Sequence, residues 1–150
     1  FNWKSVQPYL KAELKHMGTL DRFFIAPRNG RKIFTTNRGL LLISIHDRTY
    51  FQHAVRGKVT VSDPLMSRNT QKPAIVIAAP IRAADGNVVG VLGGGIPTER
   101  FQIDAPKIGG TVLFSSTGRV IRSTQPLPKG LLQHWHPNKK GIETQRDYTV

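Results

Sequence analysis

Two runs rich in β-branched and small apolar residues, 74–83 and 88–96, are joined by Ala84-Asp85-Gly86-Asn87, and this pairing constrains the fold more than anything else in the chain. The Asp-Gly step supplies the positive φ that a tight turn requires, so the two runs read as an antiparallel hairpin. Neither shows the polar alternation of a half-exposed strand, which predicts central strands covered on both faces. A second hairpin lies upstream, where 21–26 and 32–36 flank Pro27-Arg28-Asn29-Gly30-Arg31 and its Asn-Gly turn signal. Between the hairpins, 47–57 reads as a short helix, with Asp47 able to cap its start and Gly57 its end. Tyr50, Phe51 and Ala54 share one face of it.

Residues 3–17 carry Val6, Leu10, Leu14 and Met17 at helical spacing, and Gly18 stands where a helix commonly stops. Pro8 leaves two readings: an irregular first turn, or a helix that begins there. A third hairpin is expected from 110–114 and 120–123, turning through 115–119, after a connecting segment over 97–108. Leu131, Leu132 and Trp135 suggest a helical stretch, and 141–150 offers at most one weak strand. The succession helix, hairpin, short helix, hairpin describes an α+β domain, an antiparallel sheet with helices laid on it, rather than alternating βαβ units.

A net charge of +13 raises nucleic acid, anionic lipid and acidic ligands as partners. The basic residues are spread singly along the chain, with Arg28, Arg31 and Lys32 around one turn and Lys139-Lys140 near the end. No basic helix, zinc-finger spacing or aromatic RNA-binding consensus appears, so a solvated basic surface is preferred and an anion- or nucleic-acid-binding protein is the alternative. The chain has no cysteine, which removes disulfides, thiol catalysis and cysteine zinc sites. The longest apolar stretches fall short of the roughly 20 residues of a spanning helix. Phe1-Asn2-Trp3-Lys4 does not open a signal peptide, so the chain reads as a piece of a longer one. His16, His46, His53, His134 and His136 lack metal-ligand spacing. Gly93-Gly94-Gly95 lacks the lysine of a phosphate-binding loop, and no nucleophile elbow is present. No catalytic residue, metal or cofactor is expected.

The middle of the chain resembles double Cache sensor domains of bacterial chemoreceptors, histidine kinases and diguanylate cyclases. The resemblance rests on an ordered series: Asp47-Arg48-Thr49-Tyr50-Phe51 with Ala54 and Gly57, Val61-Ser62-Asp63-Pro64, Ser67-Arg68-Asn69-Thr70, Lys72-Pro73, Ala79-Pro80-Ile81, Asp85-Gly86, and the run from Val89 to Ile96. It implies a PAS-like sheet with flanking helices. Residues 1–20 would end a longer N-terminal helix, 21–100 would form a membrane-distal lobe, 101–109 a connector and 110–150 part of a membrane-proximal lobe. It further implies a periplasmic domain tethered to the inner membrane, relaying ligand binding to a cytoplasmic output domain and pairing weakly as a homodimer through the N-terminal helix. The Gly90 to Gly95 run looks most like modules attached to diguanylate cyclases.

The same resemblance places Arg48, Tyr50, Phe51, Ser62 and Asp63 near a ligand. Arg48 offers a planar fork of donors suited to a carboxylate or phosphate. The competing reading is an ion pair with Asp47 or Asp63. Tyr50 stands between pocket wall and core, while core is favoured for Phe51. Ser62 and Asp63, ahead of Pro64, could order a loop or touch ligand. Lys72 either adds charge to an anion site or faces solvent. Members that bind amino acids use a tyrosine in the following loop and an aspartate near the end of the last strand. Leu65 and Gly95 stand at those places here, so ordinary amino acids are not expected to bind; a carboxylate or another small anion is.

Overall fold

The computed structural model describes residues 2–101, 110–115, 117–127 and 129–130. Helix α1 spans Trp3–Met17 and is capped by Asn2, whose Oδ1 accepts from the Lys4 N–H at 3.1 Å. It runs straight through Pro8, so the helix neither begins there nor breaks; the proline forfeits a single backbone bond in a helix held down by its apolar stripe. Trp3, Val6, Leu10 and Leu14 press on Phe23 and Ile25.

Strands β1 (Arg22–Pro27) and β2 (Ile33–Thr35) form the upstream hairpin, and β3 (Gly39–Leu41) adds to it. Helix α2 covers Thr49–Val55. Two short strands follow, β4 (Thr60–Val61) and β5 (Leu65–Met66), then the long pair β6 (Pro73–Arg82) and β7 (Val88–Pro97). Gly86 takes φ +84° in the turn between them, as the Asp-Gly step requires. A single 3-10 turn at Thr98–Arg100 closes this part. The third hairpin forms β8 (Val112–Phe114) and β9 (Val120–Ser123), a separate two-stranded sheet. The expected elements around Leu131, Leu132, Trp135 and 141–150, and most of the connector, lie outside the described residues.

The main sheet is antiparallel, in the order β3-β2-β1-β7-β6-β4, with β5 also on β6. Its centre is the contact of β1 with β7, in register Phe24 to Gly93 and Arg22 to Gly95. Successive side chains of a strand point to opposite faces, so β1 serves two cores. Phe24 and Ala26 join Val76, Ala78 and Val91 beneath Tyr50, Phe51 and Ala54 of α2. Phe23 and Ile25 face α1. Burying Phe51 completely contributes on the order of 2–3 kcal/mol.

Coverage of β6 and β7 departs from expectation. The α2 side is covered over Val76, Ala78 and Val91, but on the other face Ile77 is exposed, and Val89 is exposed at the start of β7 beside the register shift at Ile81 and Arg82. Helix α1 sits toward β1 and β2, with the Trp3 ring 5.7 Å from that of Phe34. It leaves an open apolar groove of about 420 Å³ along Leu20, Phe23, Ile77, Leu92 and Ile96. No helix among the described residues is long and apolar enough to cross a membrane.

Candidate functional site

A cavity of about 30 Å³ lies between the α2 face of the sheet, the start of α2 and the loop after β5. Its apolar lining comes from Phe24, Ile33, Ile43, Ile45, Leu65 and Val76, and its polar lining from Arg22, Arg48, Tyr50, Ser67, Arg68 and Asn69. No carboxylate lines it among the described residues.

Each guanidinium is held differently. Arg22, 4% exposed, is a charged residue at the start of an otherwise apolar strand. Its side chain packs over Gly95, where an added Cβ would stand 2.8 Å from the guanidinium carbon. Glycine is required there by close approach and not by backbone conformation. Arg22 pairs with Asp21, and its Nη2 donates to Ser67 Oγ at 3.1 Å. Burial pushes the Asp21 carboxyl up, against the opposing pull of Arg22 and Arg100.

Arg68 forms a two-pronged pair with Asp47, at 2.6 and 2.7 Å, and also donates to the Ser44 carbonyl. This clasp joins the loop after β5 to the entry of α2. The Arg68 hydrogen bonds hold the Asp47 carboxyl down at about 2. Asp47 therefore does not cap α2: a bidentate charge-assisted pair takes its oxygens, and Arg48 occupies the N-cap position without a side-chain cap bond.

Arg48 Nη2 donates to the Met66 carbonyl at 2.9 Å. It forms no ion pair among the described residues, because Asp47 is taken by Arg68 and Asp63 accepts from Thr117 Oγ1 at 2.7 Å. Arg48 is thus the one lining guanidinium without a carboxylate in ion-pair contact among the described residues. Burial pushes the Tyr50 hydroxyl up to about 12, although Arg48, Arg68 and Arg22 all act to lower it. That phenol is neutral and able to donate. The Asn69 Oδ1 and Nδ2 are both buried and both lack a partner among the described residues.

Of the residues expected near a ligand, Arg48 and Tyr50 line the cavity. Phe51 does not; it is 1% exposed and packs in the core, with His46 against its ring. Ser62 orders a strand edge, its Oγ accepting from the Val76 N–H at 2.9 Å. Asp63 reaches the third hairpin instead, because the turn of β8 and β9 brings Thr117 to it. Lys72 is exposed, with Nζ 3.7 Å from Glu99. The space at Gly95 is taken by Arg22. Four polar lining residues went unassigned in the sequence: Arg22, Ser67, Arg68 and Asn69. The readable signal was the charge of Arg22 on the same strand face as Phe24 and Ala26. Among the described residues no group of three His, Asp or Glu could hold a metal ion.

No protein-family model matches the chain, nor does any curated protein sequence. Solved structures do match. The ligand-binding domain of the Campylobacter jejuni chemoreceptor Tlp3, in complex with 4-methylisoleucine, aligns with 91% of this chain and 54% of its own at 23% identity and TM-score 0.65. The extracellular domain of the putative histidine kinase rpHK1S-Z16 aligns with 90% of this chain and 62% of its own at 20% identity and TM-score 0.72. The ligand-binding domain of the Pseudomonas aeruginosa PAO1 amino acid chemoreceptor PctC, in complex with GABA, aligns with 65% of this chain and 46% of its own at 14% identity and TM-score 0.55. The chain spans less than two thirds of the length of each. The fold is therefore the α+β, Cache-like fold of such sensor domains, as the sequence resemblance implied.

Proposed function

We propose that this chain is the extracytoplasmic small-molecule sensor of a bacterial membrane receptor, and that it binds a small carboxylate or similar anion on Arg48. The observation that carries the reading is a small cavity lined by three guanidiniums and no carboxylate, in which Arg48 alone has only a neutral partner among the described residues. A carboxylate matches a planar guanidinium fork and meets a neutral phenol donor beside it. The matching chemoreceptor domains are described with amino acids bound. An α-ammonium needs acceptors and a compensating negative charge, and this cavity surrounds it with cations instead.

In this reading residues 21–100 form the membrane-distal lobe, 101–109 the connector and 110–150 part of the proximal lobe, with no catalysis in the sensor itself. The domain faces the periplasm, tethered to the inner membrane, and pairs as a weak homodimer through α1. The output we propose is a diguanylate cyclase, on the resemblance of the Gly90 to Gly95 run; the matching structures belong to chemoreceptors and a histidine kinase.

Calorimetric titration of the chain with propionate and with L-alanine, before and after Arg48→Gln, tests the site. Propionate should bind and alanine should not bind more tightly. Arg48→Gln should weaken propionate by about 10- to 100-fold, the size of a lost charge-assisted hydrogen bond. Tight alanine binding with none of propionate would sink the reading.

A further inference from the structure

Resting on that reading, we propose that the cavity selects a short-chain hydroxy monocarboxylate, with Asn69 as the residue that reads the hydroxyl. The argument begins with charge. Two of the three lining guanidiniums are already matched, Arg22 by Asp21 and Arg68 by Asp47. One positive charge remains, on Arg48, so the cavity neutralises one carboxylate. A second carboxylate on the same ligand would be buried without a counter-charge.

Asn69 then sets what accompanies the carboxylate. Its Oδ1 needs a donor and its Nδ2 an acceptor, and neither atom has a partner among the described residues. Buried polar atoms are ordinarily satisfied, so an orphaned pair in the wall of a cavity points to the bound molecule as the partner. A hydroxyl is the smallest group that donates to Oδ1 and accepts from Nδ2. An ammonium could donate to Oδ1 but would leave Nδ2 unpaired, and a methyl would leave both unpaired. A cavity of about 30 Å³ holds the centres of about two to three waters, which favours the shortest acids.

Calorimetry with lactate, 3-hydroxybutyrate, propionate, butyrate, malate and L-alanine tests the proposal on the whole chain. At least one hydroxy acid should bind about 10- to 100-fold more tightly than its deoxy counterpart, from the two hydrogen bonds gained at Asn69. Malate should bind more weakly than lactate. Asn69→Leu should erase the preference for the hydroxy acid while propionate keeps its affinity, and Asn69→Ser, a smaller change, should reduce the preference if the leucine variant does not fold. Equal binding of hydroxy and deoxy acids overturns the role of Asn69 and leaves the carboxylate site on Arg48 standing. Tight alanine binding, or no binding of any of the six, overturns both.

Discussion

The two faces of the main sheet are built from alternate residues of the same strands, yet they are finished in opposite ways. On the α2 face Phe24, Val76, Ala78 and Val91 disappear under a helix and a loop that is clasped shut by Arg68 and Asp47. What space is left there is small and rimmed by polar groups. On the α1 face the helix covers Phe23 and Ile25 and stops, and Ile77 and Leu92 line a groove without a titratable residue. A face that encloses a polar cavity must be sealed with hydrogen bonds as well as packing, because any buried donor left over costs stability. A face without polar groups can stay open at the modest cost of exposed apolar area. The difference teaches that the polar cavity and the open apolar groove are segregated in this domain by strand parity.

The largest expected effect breaks the α2 face. Phe51→Ala removes a ring that is 1% exposed and touches Gly30 and His46, and it should destabilise the fold by about 3–5 kcal/mol in urea unfolding. Leu10→Ala, the matching change in the α1 core, should cost about 2 kcal/mol, because the neighbouring groove allows the helix to settle. Equal costs would show that the two faces are equally tight.

The glycine run sharpens the comparison within three consecutive residues. An added Cβ at Gly93 would stand 2.0 Å from the buried Phe24 ring, and one at Gly95 would stand 2.8 Å from the tethered Arg22 guanidinium. Both positions point to the α2 face. At Gly94, pointing the other way, the nearest atoms are the Leu20 methyls at 3.0 and 3.1 Å, beside open space. Alanine should therefore cost about 1–3 kcal/mol or more at 93 and less at 95, and under about 1 kcal/mol at 94. Gly95→Ala should in addition weaken propionate binding, since Arg22 has the cavity as its nearest refuge. Thermal unfolding of the three single variants ranks them, and a largest loss at 94 would contradict the assignment of faces.

Elements with an apolar run or an apolar face of their own were legible in the sequence and the two-residue strands were not, for a physical reason. Strands β1, β6 and β7 announce themselves through apolar runs bounded by Asn-Gly or Asp-Gly turns, and α2 through Tyr50, Phe51 and Ala54 on one face. Strands β4 and β5 are two residues each and exist only because β6 offers them an edge. The site divides the same way. Arg48 and Tyr50 could be named from one local motif, whereas Arg22 belongs to the cavity because Gly95, far along the chain, leaves room for it. Asp47 reads locally as a cap, and only the return of the loop after β5 brings Arg68 to claim it.

The smallest expected effect concerns pH, and again it separates the faces, since every strongly shifted group lies on the α2 side. Asp47 has its pKa depressed to about 2 by Arg68, so what the clasp contributes is present above the ordinary carboxylate value of 3.8 and is lost only as pH falls through about 2. Tyr50 is raised by burial from 10.0 to about 12, so the stability of its neutral form is complete below pH 10 and is lost as pH rises through about 12. Between pH 7.5 and 9 a guanidinium and a carboxylate both keep their charge. Affinity for propionate measured between pH 7.5 and 9 should therefore change by less than about twofold, below about 0.4 kcal/mol. A tenfold fall across that window would mean that a cation other than these guanidiniums carries the anion, and the place of Arg48 at the centre of the site would have to be given up.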